Sequence, residues 1–137
     1  MDAEYSIEID RSRDLIRIRM GGLFTLDDIA AFLEARRRAH AELGCAPNQH
    51  LTLNDLRTMK IQSQDVVAAF RNMLADPAFR SRRLAFVAAQ TLARSQLMRA
   101  LDGRDARFFD YIEDAEAWLF AEEADEAEAP PRRYAVR

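Results

Sequence analysis

Residues 51–74, LTLNDLRTMKIQSQDVVAAFRNML, decide the fold. Residues 51–56 alternate as in a β-strand, with Asp55 near its end. After a polar loop, apolar residues recur at helical spacing over residues 66–74, which predicts an amphipathic helix beginning near Ser63. Such a loop places backbone N–H groups and short side chains at a sheet edge, where open α/β folds carry their sites. This edge is therefore the predicted location of function.

Two further strands are predicted before this unit. Residues 5–9 and 15–20 each alternate between apolar and polar side chains. The polar connection between them, residues 11–14, is short enough to predict an antiparallel hairpin. Gly21 and Gly22 are expected to end the second strand.

A helix is predicted to follow the hairpin. Thr25 with Asp28 three residues later indicates a variant capping box at its start. Its apolar stripe predicts an end at Gly44, with this glycine as the left-handed cap.

Three residues near the end of that helix are weighed as metal ligands: His40, Cys45 and His50. They have no recognised ligand spacing, and no fourth ligand lies nearby in the sequence. We therefore predict no metal site, and expect His40 to cover the edge of the apolar stripe and to hydrogen-bond locally.

The second half of the chain continues the alternation of strands and helices. Residues 84–89 are continuously apolar, which predicts a parallel strand covered on both faces in the middle of the sheet. Thr91 is expected to cap a third helix that ends at residues 102–103. Residues 107–112 predict a last strand, and Asp114 is expected to cap a short final helix.

The resulting order, ββαβαβαβα, predicts a single α/β domain with a mixed, mostly parallel five-stranded sheet and helices packed on it. The length of 137 residues fits one domain with a real core. We assign this domain to residues 1–121. Residues 122–137 are acidic, poor in bulky apolar residues and contain two adjacent prolines, which predicts a mobile tail.

Composition favours an ordinary soluble protein, with 49% hydrophobic and 31% charged residues. The net charge of −3 predicts no nucleic-acid partner. Residues 71–107 carry eight arginines against three aspartates, and residues 110–128 carry nine acids and no base. We expect these segments to neutralise each other across the folded surface, since no aromatic and basic residues interleave.

No apolar run approaches the roughly 20 residues that span a bilayer, and the N-terminus is acidic where a signal peptide would be basic. The single cysteine, Cys45, cannot form an internal disulfide. Together these features predict a cytoplasmic protein without a membrane span.

With this element order, the chain resembles the anti-sigma-factor antagonist superfamily, known as STAS, and in particular its SpoIIAA-like branch. The resemblance covers about residues 5–121. Its carriers are four stretches of the sequence: the hairpin followed by GGLFTLDD, the strand LTLNDLR leading into IQSQDVVAAF, the segment RRLAFVAAQTLAR, and the closing FFDYIEDAEAWL.

The resemblance implies a non-catalytic binding module of bacterial regulation, without a cofactor, whose partner is another protein such as a kinase or an anti-sigma-like protein. Many members are phosphorylated on a Ser or Thr at the start of the helix after the central strand. The matching position is Ser63, and Asp55 matches the acid at the end of that strand. The family's motif is Asp-Ser followed by a small residue and Gly, whereas this chain has Gln-Ser-Gln-Asp over residues 62–65.

Two interpretations of Ser63 follow from its predicted position. A phosphate at a helix N-terminus adds about −1.5 to −2 charges where the helix dipole tolerates them, and would alter a binding surface. Alternatively, Ser63 only caps the helix, an interaction worth roughly 1 kcal/mol. The predicted working surface comprises the loop from Asp55 to Ser63, including Thr58, and the turn at Gln90 and Thr91.

Other classes of function stay open. The alternative is a small-molecule or lipid-binding α/β domain, and aromatic residues at strand and helix spacing are core residues more often than pocket walls. Those that could line such a pocket are Phe24, Phe79, Phe86, Phe108 and Phe109. An enzyme is the third class, but no histidine is placed by the sequence to activate Ser63. A homodimer through Phe109 and Tyr111 near an edge strand is a further prediction.

Overall fold

The structure is a computed structural model that describes residues 2–100 and 106–121. Within these ranges the chain forms five strands, four α-helices and one short 3-10 turn. Their bounds are β1 Glu4–Asp10, β2 Leu15–Gly22, α1 Leu26–His40, β3 Leu51–Met59, α2 Gln64–Ala75, the 3-10 turn Pro77–Phe79, β4 Arg83–Val87, α3 Leu92–Ala100, β5 Arg107–Phe109 and α4 Ile112–Leu119.

The strands form one sheet in the order β1-β2-β3-β4-β5. β1 is antiparallel to β2, and each remaining neighbouring pair is parallel. The predicted fold class, a mixed and mostly parallel five-stranded sheet in the order ββαβαβαβα, is therefore confirmed. The three parallel crossovers, from β2 to β3, β3 to β4 and β4 to β5, carry α1, α2 and α3 on the same face of the sheet, because they all step in one direction along the sheet and such crossovers share one hand.

Helices cover both faces of the sheet, but unequally. One face, which includes Ile16, Ile18 and Phe86, packs against apolar residues of α1, α2 and α3. The opposite face packs against α4, through residues such as Leu53 and Leu119. All five residues of β4 are buried, because this strand lies between β3 and β5 with helices on both faces. The prediction of a parallel interior strand here is confirmed, with its end at Val87 instead of residue 89.

The glycine pair predicted to break β2 after residue 20 forms the last two residues of that strand. The pairing of β2 with β3 shifts by one residue between Arg19 and Gly21, so that Gly21 pairs with Thr58 and Gly22 with Met59. Only a glycine at position 21 allows this close pairing, because the Thr58 side chain packs directly over it. A Cβ added at Gly21 would overlap Oγ1 of Thr58. This shifted pairing extends to Thr58 and Met59, so β3 continues beyond its predicted end at residue 56.

Two predicted helix ends and one predicted strand end are also corrected. The last turn of α1 tightens into i to i+3 hydrogen bonds, from Glu42 N to Ala39 O, so the helix ends before Gly44. Gly44 does not have a positive φ, and is not a left-handed cap. α4 begins at Ile112, which places Asp114 in its first turn and not at the cap. β5 accordingly stops at Phe109.

Two predictions fall outside the described residues: the end of α3 at residues 102–103 and the tail of residues 122–137. Across residues 2–100 and 106–121, no helix is both long enough and apolar enough to cross a bilayer.

A buried polar cluster lies at the amino ends of β3 and β4. The His50 ring is buried and stands nearly perpendicular to the His40 ring, with 4.8 Å between the ring centroids. Nε2 of His50 lies 3.3 Å from the Ser81 hydroxyl oxygen, which lies 2.5 Å from that of Thr52. His40 also contacts the Phe79 ring, and its buried Nδ1 has no hydrogen-bond partner among the described residues. His40 thus packs through its ring and lacks the expected local hydrogen bond at Nδ1.

This cluster holds both imidazoles in their neutral form. Burial lowers the pKa of His50 to about 4, reinforced by repulsion from a protonated His40 and from the Arg36 guanidinium. Burial, again with Arg36 nearby, lowers the pKa of His40 below 6.5. The unfolded chain binds these protons at a higher pH than the folded chain. The contribution of the two neutral histidines to the free energy of unfolding is therefore fully present above about pH 6.5 and is lost as the pH falls towards 4.

We predict that His50 contributes up to about 3 kcal/mol to a decline in unfolding free energy between pH 7 and pH 4.5. Urea unfolding at pH 7, 6, 5 and 4.5 measures this slope, and His50→Gln should flatten it whatever the variant's absolute stability. Asp55 and Asp110 have lowered pKa values and lose their contributions below about pH 4, outside this window. Equal slopes for the parent and His50→Gln would contradict the assignment.

We also predict that Gly21→Ala lowers the free energy of unfolding by about 1–3 kcal/mol, because the added Cβ overlaps the Thr58 hydroxyl. In a Thr58→Ala background the loss should shrink by at least about 1 kcal/mol, as a double-mutant cycle would measure. Gly44→Ala is the control, since its Cβ would meet only Nη2 of Arg11 at an ordinary 3.5 Å. If the effects of the two substitutions on the free energy of unfolding are additive, the steric contact between residues 21 and 58 is contradicted.

Candidate functional site at the carboxyl edge of the sheet

The loops that follow four neighbouring parallel strands meet at one edge of the sheet, which we call the carboxyl edge. They are residues 23–25 after β2, 60–63 after β3, 88–91 after β4 and 110–111 after β5. Because these strands run in the same direction and lie side by side, their following loops are neighbours in space. Side-chain hydrogen bonds join these loops to one another.

The first of these links is the buried side chain of Gln62. Its Oε1 accepts a hydrogen bond from the Phe24 backbone N–H at 2.9 Å. Its Nε2 donates to the backbone oxygens of Gly22, at 3.0 Å, and Lys60, at 2.5 Å. The loop after β3 is thereby fixed to the loop after β2 by an amide whose donors and acceptor are all used.

The second link is a reciprocal pair between the backbone of Gln62 and the side chain of Gln96 on α3. The Gln62 N–H donates to Oε1 of Gln96 at 2.9 Å, and Nε2 of Gln96 donates to the Gln62 carbonyl at 2.9 Å. This pair imitates the exchange of bonds between two strands, and it fixes α3 against the start of α2.

The third link joins the loops after β4 and β5. Nε2 of Gln90 lies 3.1 Å from each carboxylate oxygen of Asp110. Nη1 of Arg94 donates to Asp110 Oδ1 at 2.7 Å and to the Ala88 carbonyl at 3.2 Å. Hydrogen bonds from Gln90 and Arg94 hold the pKa of the Asp110 carboxyl below its usual value, so this link is ionised at neutral pH.

Two of the predicted site residues lie on this edge. Ser63 is exposed and occupies the N-cap of α2, where its Oγ accepts a hydrogen bond from the Val66 N–H at 3.3 Å. Thr91 is also exposed, and its Oγ1 lies 3.5 Å from the Arg94 N–H nitrogen at the start of α3. Both predicted positions, at the beginnings of the helices after β3 and β4, are therefore where the sequence placed them.

Asp55 lies within β3, as the predicted strand of residues 51–56 has it, and Thr58, which was expected in the following loop, also lies within β3. Asp55 makes two hydrogen bonds with the Arg57 guanidinium, at 2.9 and 2.8 Å. Burial alone would raise the pKa of the Asp55 carboxyl, but its hydrogen bonds from Arg57 bring the pKa below its usual value. Thr58 lines a notch of about 140 Å³ on the sheet surface together with Arg19 and Gly21. The sequence predicted one working surface running from Asp55 to Ser63. In the structure, Asp55 and Thr58 belong to the strand, and Ser63 belongs to the loop of residues 60–63.

The carboxyl edge also exposes large apolar side chains. Leu23 follows β2, Ile61 follows β3, Leu92 begins α3 after β4, and Tyr111 follows β5. Their exposed fractions are 49%, 53%, 70% and 65%, respectively. We call these four residues the apolar rim. All four lie in or next to the loops that follow four adjacent strands, whereas exposed apolar residues on protein surfaces are ordinarily scattered singly.

The two histidines and Ser63 lie in different parts of the fold. Both histidines of the chain lie at the opposite end of the sheet, in the buried cluster described above. The Ser63 oxygen is engaged in capping α2. Within residues 2–100 and 106–121, no group of three or more His, Cys, Asp and Glu side chains is arranged to hold a metal ion.

No family model matches this sequence, and no curated protein matches it. Among solved structures, the chain is similar to the crystal structure of an uncharacterized protein of the DUF3478 family from Shewanella loihica PV-4, described as having a SpoIIAA-like fold. The TM-score is 0.67 with 20% sequence identity, over 85% of this chain and 94% of that chain.

The chain has a SpoIIAA-like fold. The fold predicted from the order of elements and the four quoted stretches is thereby confirmed. At 20% identity the likeness concerns the fold alone, so the properties of the SpoIIAA-like edge in this protein depend on its own residues.

Sequence reasoning missed Gln62, Gln96 and Asp110 as organising residues of the edge. Gln62 and Gln96 are 34 positions apart, and neither interrupts a hydrophobic pattern in a way that marks it. One signal was present for Gln62, since it precedes an N-cap serine, where a buried polar side chain can fix the entry of the chain into the helix.

We predict that Gln62→Ala lowers the free energy of unfolding by about 2–4 kcal/mol, because it removes the acceptor of the buried Phe24 N–H and one of the two donors to the Gly22 carbonyl. Gln64→Ala is the matched control: the same side chain is exposed two residues later, and its loss should change stability by less than about 0.5 kcal/mol. Chemical denaturation of both variants gives the comparison. Similar values for the two would show that the buried amide does not fix the edge.

Proposed function

We propose that this protein is a non-catalytic regulatory module that binds another protein through the carboxyl edge. The observation that carries the proposal is the apolar rim, in which the strand ends present Leu23, Ile61, Leu92 and Tyr111 to solvent. Aromatic and aliphatic side chains that anchor protein interfaces are of this kind, and such anchors dominate binding energy when a partner covers them.

The hydrogen-bonded loops support the same proposal. A surface whose loops are already fixed loses little conformational entropy on binding, so more of the contact energy appears as affinity. Gln62, Gln96 and Asp110 supply this fixation through their hydrogen bonds to other loops and helices of the carboxyl edge. An edge built in this way suits recognition of a partner, whereas a catalytic cleft needs converging acid, base or nucleophile groups.

Ser63 is the proposed control point of this surface. It is exposed, lies two residues from Ile61 of the rim, and caps α2. A phosphate there would add charge beside an apolar contact surface while remaining compatible with the positive end of the helix dipole. Asp65, already in the first turn, opposes this modification electrostatically, and capping of α2 is the simpler role. In line with the resemblance, the partner proposed is a kinase or an anti-sigma-like protein of the cytoplasm.

The alternative, a small-molecule or lipid-binding domain, has less support. Each aromatic residue suggested as a pocket wall packs against another ring. The pairs are Phe24 with Phe70, Phe79 with His40, Phe86 with Phe108, and Phe109 with Trp118. Ring pairs of this kind are typical of filled cores. A homodimer at the β5 edge, through Phe109 and Tyr111, is the second partner to be distinguished by experiment.

Affinity capture from the native cell, followed by mass spectrometry, tests the proposal. We predict that Ile61→Asp and Leu92→Asp each reduce recovery of the specific partner at least tenfold, because a charge replaces an apolar contact. Met98→Asp is the matched control, since Met98 is exposed on α3 but lies about 9 Å along the helix from Leu92. The same spectra report any phosphate on Ser63.

Recovery that is equal for the parent, both rim variants and Met98→Asp would contradict the proposal. Size-exclusion chromatography with light scattering on the purified protein distinguishes the homodimer. A dimer that Tyr111→Asp dissociates, with no other protein recovered, would replace the heterologous partner with a second copy.

A further inference from the structure

A groove of about 390 Å³ runs between α2 and α3, next to the carboxyl edge. The residues that line it are Gln64, Val67, Ala68 and Arg71 from α2, with Gln96 and Arg99 from α3. Its position follows from the packing of these two helices side by side on the same face of the sheet. It opens at Gln64, the residue directly after Ser63.

The groove has a one-sided charge. Arg71 and Arg99 are both exposed, and no carboxylate is among the residues that line the groove. Within the described part of the chain, neither guanidinium forms an ion pair. By contrast, Arg17, Arg57 and Arg94 each pair with a carboxylate elsewhere on the molecule.

The walls of the groove are fixed before anything binds. Gln96 exchanges two hydrogen bonds with the backbone of Gln62 at the start of α2, which sets the spacing of the two helices. Val67 and Ala68 add small apolar surfaces to the lining of the groove. The groove thus combines a short apolar strip with cationic groups from both helices.

We propose that this groove binds an acidic segment of the partner protein. Carboxylates of that segment pair with Arg71 and Arg99, and an apolar side chain between them packs on Val67 and Ala68. The inference rests on the proposed function, and it adds the chemistry of the partner. A peptide suits the groove better than a nucleic acid, because no aromatic residue lines it on which bases could stack.

The test uses the purified full chain and two fluorescent, acetylated eight-residue peptides, one alternating Glu with Leu and one alternating Lys with Leu. Fluorescence anisotropy at 150 mM salt, where exposed charges are screened beyond roughly 8 Å, measures each dissociation constant. We expect the Glu-Leu peptide to bind at least tenfold more tightly than the Lys-Leu peptide.

Charge reversal locates the binding. Arg71→Glu/Arg99→Glu should weaken binding of the Glu-Leu peptide at least tenfold. Arg11→Glu/Arg80→Glu, which makes the same change of net charge at two exposed arginines outside the groove, should weaken it less than threefold. Arg71→Gln/Arg99→Gln provides a milder variant, and thermal unfolding followed by circular dichroism verifies that each variant folds.

The inference is overturned if the Glu-Leu peptide does not bind, or if both double reversals weaken it equally. It is also overturned if a single-stranded oligonucleotide or an anionic phospholipid vesicle binds more tightly than the peptide and depends on Arg71 and Arg99. Loss of peptide binding with rim-dependent capture intact overturns the groove assignment alone. Capture that does not depend on the rim overturns the proposed function itself.

Discussion

The buried amide of Gln62 is the constraint on which the carboxyl edge depends. Its three hydrogen bonds join the loop after β3 to the loop after β2, and its backbone forms two more with Gln96. Loops at a sheet edge ordinarily have few interactions with one another. Here breaking any hydrogen bond of the buried Gln62 amide would cost free energy. Its partners in the neighbouring loops are therefore held in place, and the edge has one defined shape.

The two ends of the sheet consequently have different tasks. At the amino end, the buried ring of His50 packs against the half-buried ring of His40, and both rings are neutral at neutral pH. At the carboxyl end, polar groups are used in joining loops, and apolar side chains such as Leu92 and Tyr111 remain exposed. Burying polar groups and exposing apolar ones is the reverse of what stability alone favours. The proposed binding function would account for that reversal, and the groove between α2 and α3 would extend the proposed binding surface.

Much of the fold could be predicted because it depends on local patterns. The alternation in residues 5–9 and 15–20, the apolar strand β4 and the amphipathic α2 each indicate one element, and their order leaves few topologies. The boundaries were harder, because they depend on contacts between strands. Gly21 reads as a strand breaker by itself, yet the Thr58 side chain packed over it makes a glycine necessary within the strand. The same shift in pairing placed Thr58 within β3.

The residues of the candidate site show the same difference between features set by local sequence and features set by distant contacts. Ser63 and Thr91 could be placed because helix starts have a recognisable sequence pattern. Gln62, Gln96 and Asp110 could not, because their partners lie 16 to 40 residues away and are set only when the sheet assembles. The apolar rim was equally hidden, since Leu23, Ile61, Leu92 and Tyr111 belong to no common stretch of sequence.

Amide hydrogen exchange of the free protein, followed residue by residue by NMR, tests the central claim most directly. If the carboxyl edge is fixed before any partner binds, the backbone N–H groups of Phe24 and Gln62 exchange as slowly as those in the middle of β3. Exchange of these two N–H groups at the rate of an unstructured peptide, while β3 stays protected, would contradict it.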